Sequence, residues 1–164
     1  MPGYKEMNEL GADNDLPDFY WTGETDMNCL KQCITHTKKY AYSHHIERLM
    51  VTGNYACLIG VSPKQISEWY LCVYADAHEW VELPNTIGMS NYCDGGIVAT
   101  KPYVCGSNYI NKMSDFCKGC KYDPATCQIN TLYWDFLKKH EERLKDNPRM
   151  KLMYRKAEKM EAKK

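Results

Sequence analysis

Apolar residues recur at helical spacing from Met27 to about Ile59, at Leu30, Cys33, Ile34 and then Ile46, Leu49, Met50 and Tyr55. This pattern predicts two helices, or one interrupted near Tyr42 and Ser43, with Asp26 as N-cap. Ser62 followed by Pro63 predicts a second start, because proline suits a first helical turn, and that helix should run through "KQISEWYLCVYADAHEWVEL" until Pro84 stops it. The opening "MPGYKEMNELGADNDLPDFYWTGETD" holds no period and reads as irregular with a short helix. The Gly-, Asn- and Pro-rich stretch "PNTIGMSNYCDGGIVATKPYVCGSNY" is too long for a bare connector and reads as a functional loop. Asn130 is placed to cap "TLYWDFLKKHEERLKD", and Asn147-Pro148 repeats the start signal for a last helix. The pattern is all-α, with neither a fixed-period repeat nor a low-complexity segment.

Composition narrows the setting. The 164 residues suit one domain spanning 1–164, and 44% hydrophobic content is enough for a globular core. Lys+Arg and Asp+Glu balance at 21 each, so any nucleic-acid-binding patch must be local. The basic end "NPRMKLMYRKAEKMEAKK" is interrupted by Glu158 and Glu161 and reads as a solvated helix face. With no signal-peptide pattern and no apolar run of membrane-spanning length, the expectation is a cytoplasmic protein without a membrane partner. Nine cysteines, an odd number, argue against a disulfide framework and towards metal.

The chemistry concentrates in "MSDFCKGCKYDPATCQ". Cys117 and Cys120 form a C-x2-C pair whose sulfurs can reach one metal from a single turn, and Cys127 follows. A fourth ligand must come from Cys29, Cys33, Cys57, Cys72, Cys93, Cys105 or a histidine. On spacing alone zinc and an iron–sulfur cluster stand equal. The adjacent His44 and His45 point about 100° apart on a helix, so they are no same-face ligand pair. Without other information they read as one buried and one exposed histidine, and "EWYLCVYADAHEW" as an aromatic core helix.

Taken together, "MPGY", "FYWTGETDMNCLKQ", "AYSHHIERLMVTGN", "EWYLCVYADAHEWVELPNT", "TKPY", "NKMSDFCKGC" and "LYWDFLKKHEERLKDNPRM" closely resemble the C-terminal catalytic region of the iron–sulfur bacterial cryptochromes and photolyases. The resemblance runs from about Met1 to Met160. It implies the C-terminal part of a helical FAD-binding domain with a [4Fe-4S] cluster on Cys29, Cys117, Cys120 and Cys127, although the Cys120 to Cys127 interval is shorter than the family's. It implies electron transfer from light-excited reduced FAD to a pyrimidine (6-4) photoproduct in UV-damaged DNA. His44 and His45 match the family's proton-donating pair, and Tyr103 matches a tyrosine beside the flipped lesion. Arg48 and Asp76 match groups near the flavin or its phosphates, Glu82 one near N5, and Trp21, Trp69 and Tyr70 the electron-carrying aromatics.

The same resemblance sets Met1 at an internal position of a full-length member. The expectation is therefore a fragment, monomeric, lacking the N-terminal antenna domain with its chromophore, and inactive by itself. Two rival readings stand beside the (6-4) DNA photolyase, a carbon–carbon lyase. One is a blue-light photoreceptor (cryptochrome) of the same family; the other is a non-enzymatic iron–sulfur module that binds nucleic acid.

Overall fold

A computed structural model describes residues 2–161, without the side chains of Met160 and Glu161. Met1, Ala162, Lys163 and Lys164 of the quoted terminal motifs lie outside the described residues. Among those described, the regular structure is all helical; the single β-bridge, Asn14 with Val61, is isolated. No described helix is long and apolar enough to cross a membrane.

The opening segment is irregular, with a short 3-10 turn at Tyr4–Glu6 and α1 at Phe19–Thr22. Helix α2, Asn28–Tyr40, buries Leu30, Cys33, Ile34 and Thr37, the i, i+3, i+4, i+7 stripe that the sequence displays. Each of these apolar side chains, taken fully from water, contributes about 1.5–3 kcal/mol for Leu or Ile. Asp26 does not cap this helix. Met27 occupies the cap position, and Asp26 instead pairs with Lys121, 2.8 Å away on the cysteine loop. The expected interruption occurs where Ala41 takes a left-handed conformation (φ 48°) and ends α2.

A short α3, His45–Glu47, continues directly into a π-helical segment, π1, at Arg48–Gly53, and then into α4, Asn54–Leu58. Helix α5, Pro63–Val73, begins at the Ser62-Pro63 signal but ends well short of Pro84. There Tyr74 turns extended and the Ala75 amide donates to the Ala41 carbonyl (2.8 Å), tying the two breaks together. Helix α6, Glu79–Leu83, runs into a second π-helical segment, π2, at Pro84–Ser90. Proline therefore does not end this helix. Asn85 Nδ2 donates to the Val81 carbonyl (2.7 Å) and Thr86 Oγ1 to that of Glu82 (2.9 Å), so side chains serve carbonyls around the widened turn.

The rest of the long expected loop is irregular and is organised by buried Asp94, which accepts from the Tyr4 hydroxyl and the Gly96 and Val98 amides. Gly95 and Gly96, at φ 68° and 97°, supply the left-handed backbone this turn requires. Helix α7, Ser107–Met113, precedes a 3-10 turn at Phe116–Gly119. Helix α8 spans Gln128–Lys139 with Cys127 as its cap; Asn130 lies one turn inside it, where its amide bonds the Pro124 carbonyl and accepts from the Ser107 amide. After a break at His140 come α9, Glu141–Leu144, and α10, Lys151–Glu161. Asn147 closes a turn before α10 by accepting from the Arg149 amide. The core lies between α2, π1, α5 and α8, with Leu30, Ile34, Trp69 and Leu137 almost wholly buried.

Candidate functional site

The two π-helical segments pack against each other. They can do so because Gly53 ends π1: a Cβ there would lie 2.0 Å from Ser90 Oγ and 2.9 Å from the Tyr70 hydroxyl. Beside this contact opens a cavity of about 230 Å³, lined by His45, Arg48, Tyr70, Asp76, Glu82 and Ser90 among others. Helices with π character are frequent at functional sites, where the extra residue re-aims side chains.

Arg48 is the most constrained group of the cavity. Its Nη2 donates to both Asp76 oxygens (2.9 and 3.0 Å), its Nε donates to the Ser43 carbonyl (2.8 Å), and its guanidinium lies 3.9 Å from the Tyr74 ring centroid. Glu82 is buried, and burial pushes its carboxyl up from the ordinary range against the opposing pull of Arg48. Ser90 Oγ is buried without a hydrogen-bond partner, a state that costs free energy unless a ligand or water supplies one.

Both histidines are exposed, so the reading of one buried and one exposed does not hold, but their surroundings differ. His44 caps α3: its Nδ1 accepts from the Ile46 amide (3.2 Å) while its own amide donates to Glu47 (3.2 Å). Its side chain lines a separate apolar groove with Ile46, Met50, Met113 and Phe116. His45 lines the polar cavity, and burial, followed by the charges of Arg48 and His44, lowers its pKa below the ordinary histidine value. Tyr103 is half-buried against the core and does not line that cavity. Trp69 and Tyr70 are buried with ring centroids 5.3 Å apart, whereas Trp21 is 51% exposed.

Cys29, Cys117, Cys120 and Cys127 line one cavity of about 10 Å³, room for about one water. Cys29 opens α2 and Cys127 caps α8, while Cys117 and Cys120 come from the 3-10 turn and its exit. Asn28 fixes that turn to α2 by donating to the Phe116 carbonyl (2.7 Å). Burial drives the Cys29 thiol up to about 12, with the other three cysteines adding to the shift. Among the described residues no three His, Cys, Asp or Glu side chains converge as the shell of one metal ion. The remaining cysteines lie elsewhere; Cys57 and Cys93 are buried, and their thiols both donate to the Asn91 carbonyl.

In an alignment of 159 positions that covers 93% of its length, the chain is 54% identical to a (6-4) photolyase of Agrobacterium fabrum and matches its C-terminal part. It spans about a third (31%) of that photolyase's length. Over 88 residues it is also 31% identical to the uncharacterized protein R855 of Acanthamoeba polyphaga mimivirus, covering 54% of this chain and 69% of that protein. No family model matches the chain. The all-helical architecture of the described residues is consistent with the helical C-terminal region of photolyases. Set beside the photolyase motifs, the structure adds Ser43, Tyr74, Asn85 and Ser90 around the cavity; these common polar residues carry no sequence signal, because the π-helical turns that gather them leave none.

Proposed function

We propose that this chain is the cofactor-bearing C-terminal part of a light-driven enzyme that repairs pyrimidine (6-4) photoproducts in DNA. The carrying observation is the convergence of His45, the Arg48–Asp76 pair and buried Glu82 on one cavity beside Trp69 and Tyr70. The 54% identity to a (6-4) photolyase supports the same reading.

The donor set fits a flavin ring. An unpartnered Ser90 hydroxyl, a buried carboxyl that can hold a proton and a fixed guanidinium are the groups that a polar ring edge needs. At about 230 Å³ the cavity is below the roughly 300–1,000 Å³ of a complete ligand pocket, so this chain supplies the ring end, with FAD completed by the rest of a longer protein. The four thiols fit a [4Fe-4S] cluster in donor type, since four cysteines line one cavity that no carboxylate or imidazole lines, but at about 10 Å³ that cavity has to widen to admit the group. Reduced FAD, when excited, supplies the electron for repair. His45 then holds the proton that the lesion receives: its imidazole faces the cavity, whereas His44 is committed to capping. Arg48 locks α3 and π1 to Asp76, which keeps His45 oriented.

The test is to graft this chain in place of the matching part of the Agrobacterium photolyase and measure conversion of (6-4) photoproducts to intact pyrimidines under blue light. Wild-type graft should repair; His45→Ala should abolish repair with flavin content unchanged. A graft that binds and photoreduces flavin without repair would move the assignment to a photoreceptor.

A further inference from the structure

The break between α2 and α3 carries exposed rings that the fold does not use. Tyr40, the last residue of α2, is 59% exposed, and Tyr42, two residues on, is 53% exposed. Single exposed aromatics are ordinary on a surface. This pair differs from them in its support, its company and its position. Ala41, left-handed at φ 48°, stands between the two, and its carbonyl accepts the Ala75 amide at 2.8 Å, so the turn that presents them is tied to the end of α5. Across two residues their backbones lie at most about 7 Å apart.

Each ring has a cation beside it. Lys39 Nζ lies 5.0 Å from the Tyr40 ring centroid, and the Arg48 guanidinium lies 5.1 Å from that of Tyr42. The exposed His36 ring meets Tyr40 edge-on at 5.9 Å. The carboxylates on the elements that follow are engaged: Glu47 accepts the His44 amide, and Asp76 holds Arg48. Tyr42 also lines the polar cavity that His45 faces, so the pair begins at the cavity mouth and runs outward along the surface.

We propose that Tyr40 and Tyr42 form a stacking platform for the DNA strand that leads into the cavity, with Lys39 taking a backbone phosphate beside it. The identity of the strand rests on reading the cavity as the place where a (6-4) lesion is held; the platform adds the residues that grip the bases next to that lesion. A base drawn out of a duplex leaves its neighbours without their stacking partner. An aromatic ring offers a face to any base, which suits flanks of every sequence, and a lysine at its edge neutralises the phosphate between them. Tyrosine is the apt residue, because its ring stacks while its hydroxyl keeps an exposed position wettable.

The test uses the graft of this chain in the Agrobacterium photolyase and a labelled single strand that carries one (6-4) photoproduct with an emissive adenine analogue beside it. Wild-type graft should quench the analogue on binding. Tyr40→Ala and Tyr42→Ala together should lose the quench and weaken binding about tenfold or more, whereas the two Tyr→Phe changes should keep both, since stacking needs the ring and not the hydroxyl. Lys39→Gln should reduce the slope of log affinity against log salt by about 0.7, the share of one single-strand phosphate. In the repair assay the alanine pair should raise KM for lesion DNA more than it lowers kcat. Unchanged affinity and quench in the alanine pair would overturn the platform and leave the repair assignment standing. Loss of flavin or a lower melting temperature in that pair would assign the rings to packing against the rest of the longer protein, and would overturn the platform as well. A wild-type graft that binds and quenches as described but repairs nothing would uphold the platform and overturn the repair assignment.

Discussion

Single ionisable residues carry the clearest consequences. Glu82 is buried with its carboxyl pushed up, so its charged form is less comfortable in the folded chain than in the unfolded one. The folded protein thus binds its proton more tightly, and the associated stability is present at low pH and lost as pH rises through the raised pKa. Glu82→Gln should therefore raise the melting temperature at pH 7 to 8, with the gain shrinking towards pH 4; an equal gain at both pH values would contradict this. His45 moves the other way. Burial and Arg48 hold it below its ordinary value of about 6.5, so at pH 7 it is mainly neutral. If protonated His45 is the donor, the repair rate of the graft should fall as pH rises, with a midpoint that disappears in His45→Ala. Both histidines were legible as a pair; which one faces the cavity was not, because that depends on His44 accepting the Ile46 amide.

At the scale of elements, the π1–π2 contact decides the shape of the cavity. Gly53→Ala would place a methyl group 2.0 Å from Ser90 Oγ and 2.7 Å from the Arg48 carbonyl, and overpacking of this kind costs about 1–3 kcal/mol. Denaturant unfolding should register that loss, and Ser90→Gly in the same chain should recover part of it. Most helices were legible: the α2 stripe of Leu30, Cys33 and Ile34, the Ser62-Pro63 start and the break after Tyr40 all follow from local pattern and propensity. The misses share one physical cause. Pro84 and Asn130 are read as stop and cap from local chemistry, yet tertiary partners override both: π2 continues through Pro84 with Asn85 and Thr86 bonding the carbonyls, and Asn130 spends its amide on Pro124 and Ser107. Asp26 is lost as a cap to Lys121 in the same way.

Across the whole molecule, the four cysteines connect the start of α2 to the loop before α8, two regions also joined by the Asn28–Phe116 hydrogen bond and the Asp26–Lys121 ion pair. A metal group there would contribute its binding free energy to folding. The cysteine loop should accordingly be cut by protease much faster in the chain stripped of metal than in the loaded chain, and Asn28→Ala, which frees the turn from α2, should narrow that difference. The thiolate set could be named from spacing and resemblance, but its enclosure by Met27, Ile110 and Tyr122 could be seen only in three dimensions. If this chain is the cluster-bearing part of a photolyase, the most direct measurement is the iron, acid-labile sulfide and zinc content of anaerobically purified protein. The prediction is about four irons and four sulfides per chain, with broad visible absorption that is lost in Cys29→Ser, Cys117→Ser, Cys120→Ser and Cys127→Ser and kept in Cys72→Ser. Stoichiometric zinc without iron would contradict it.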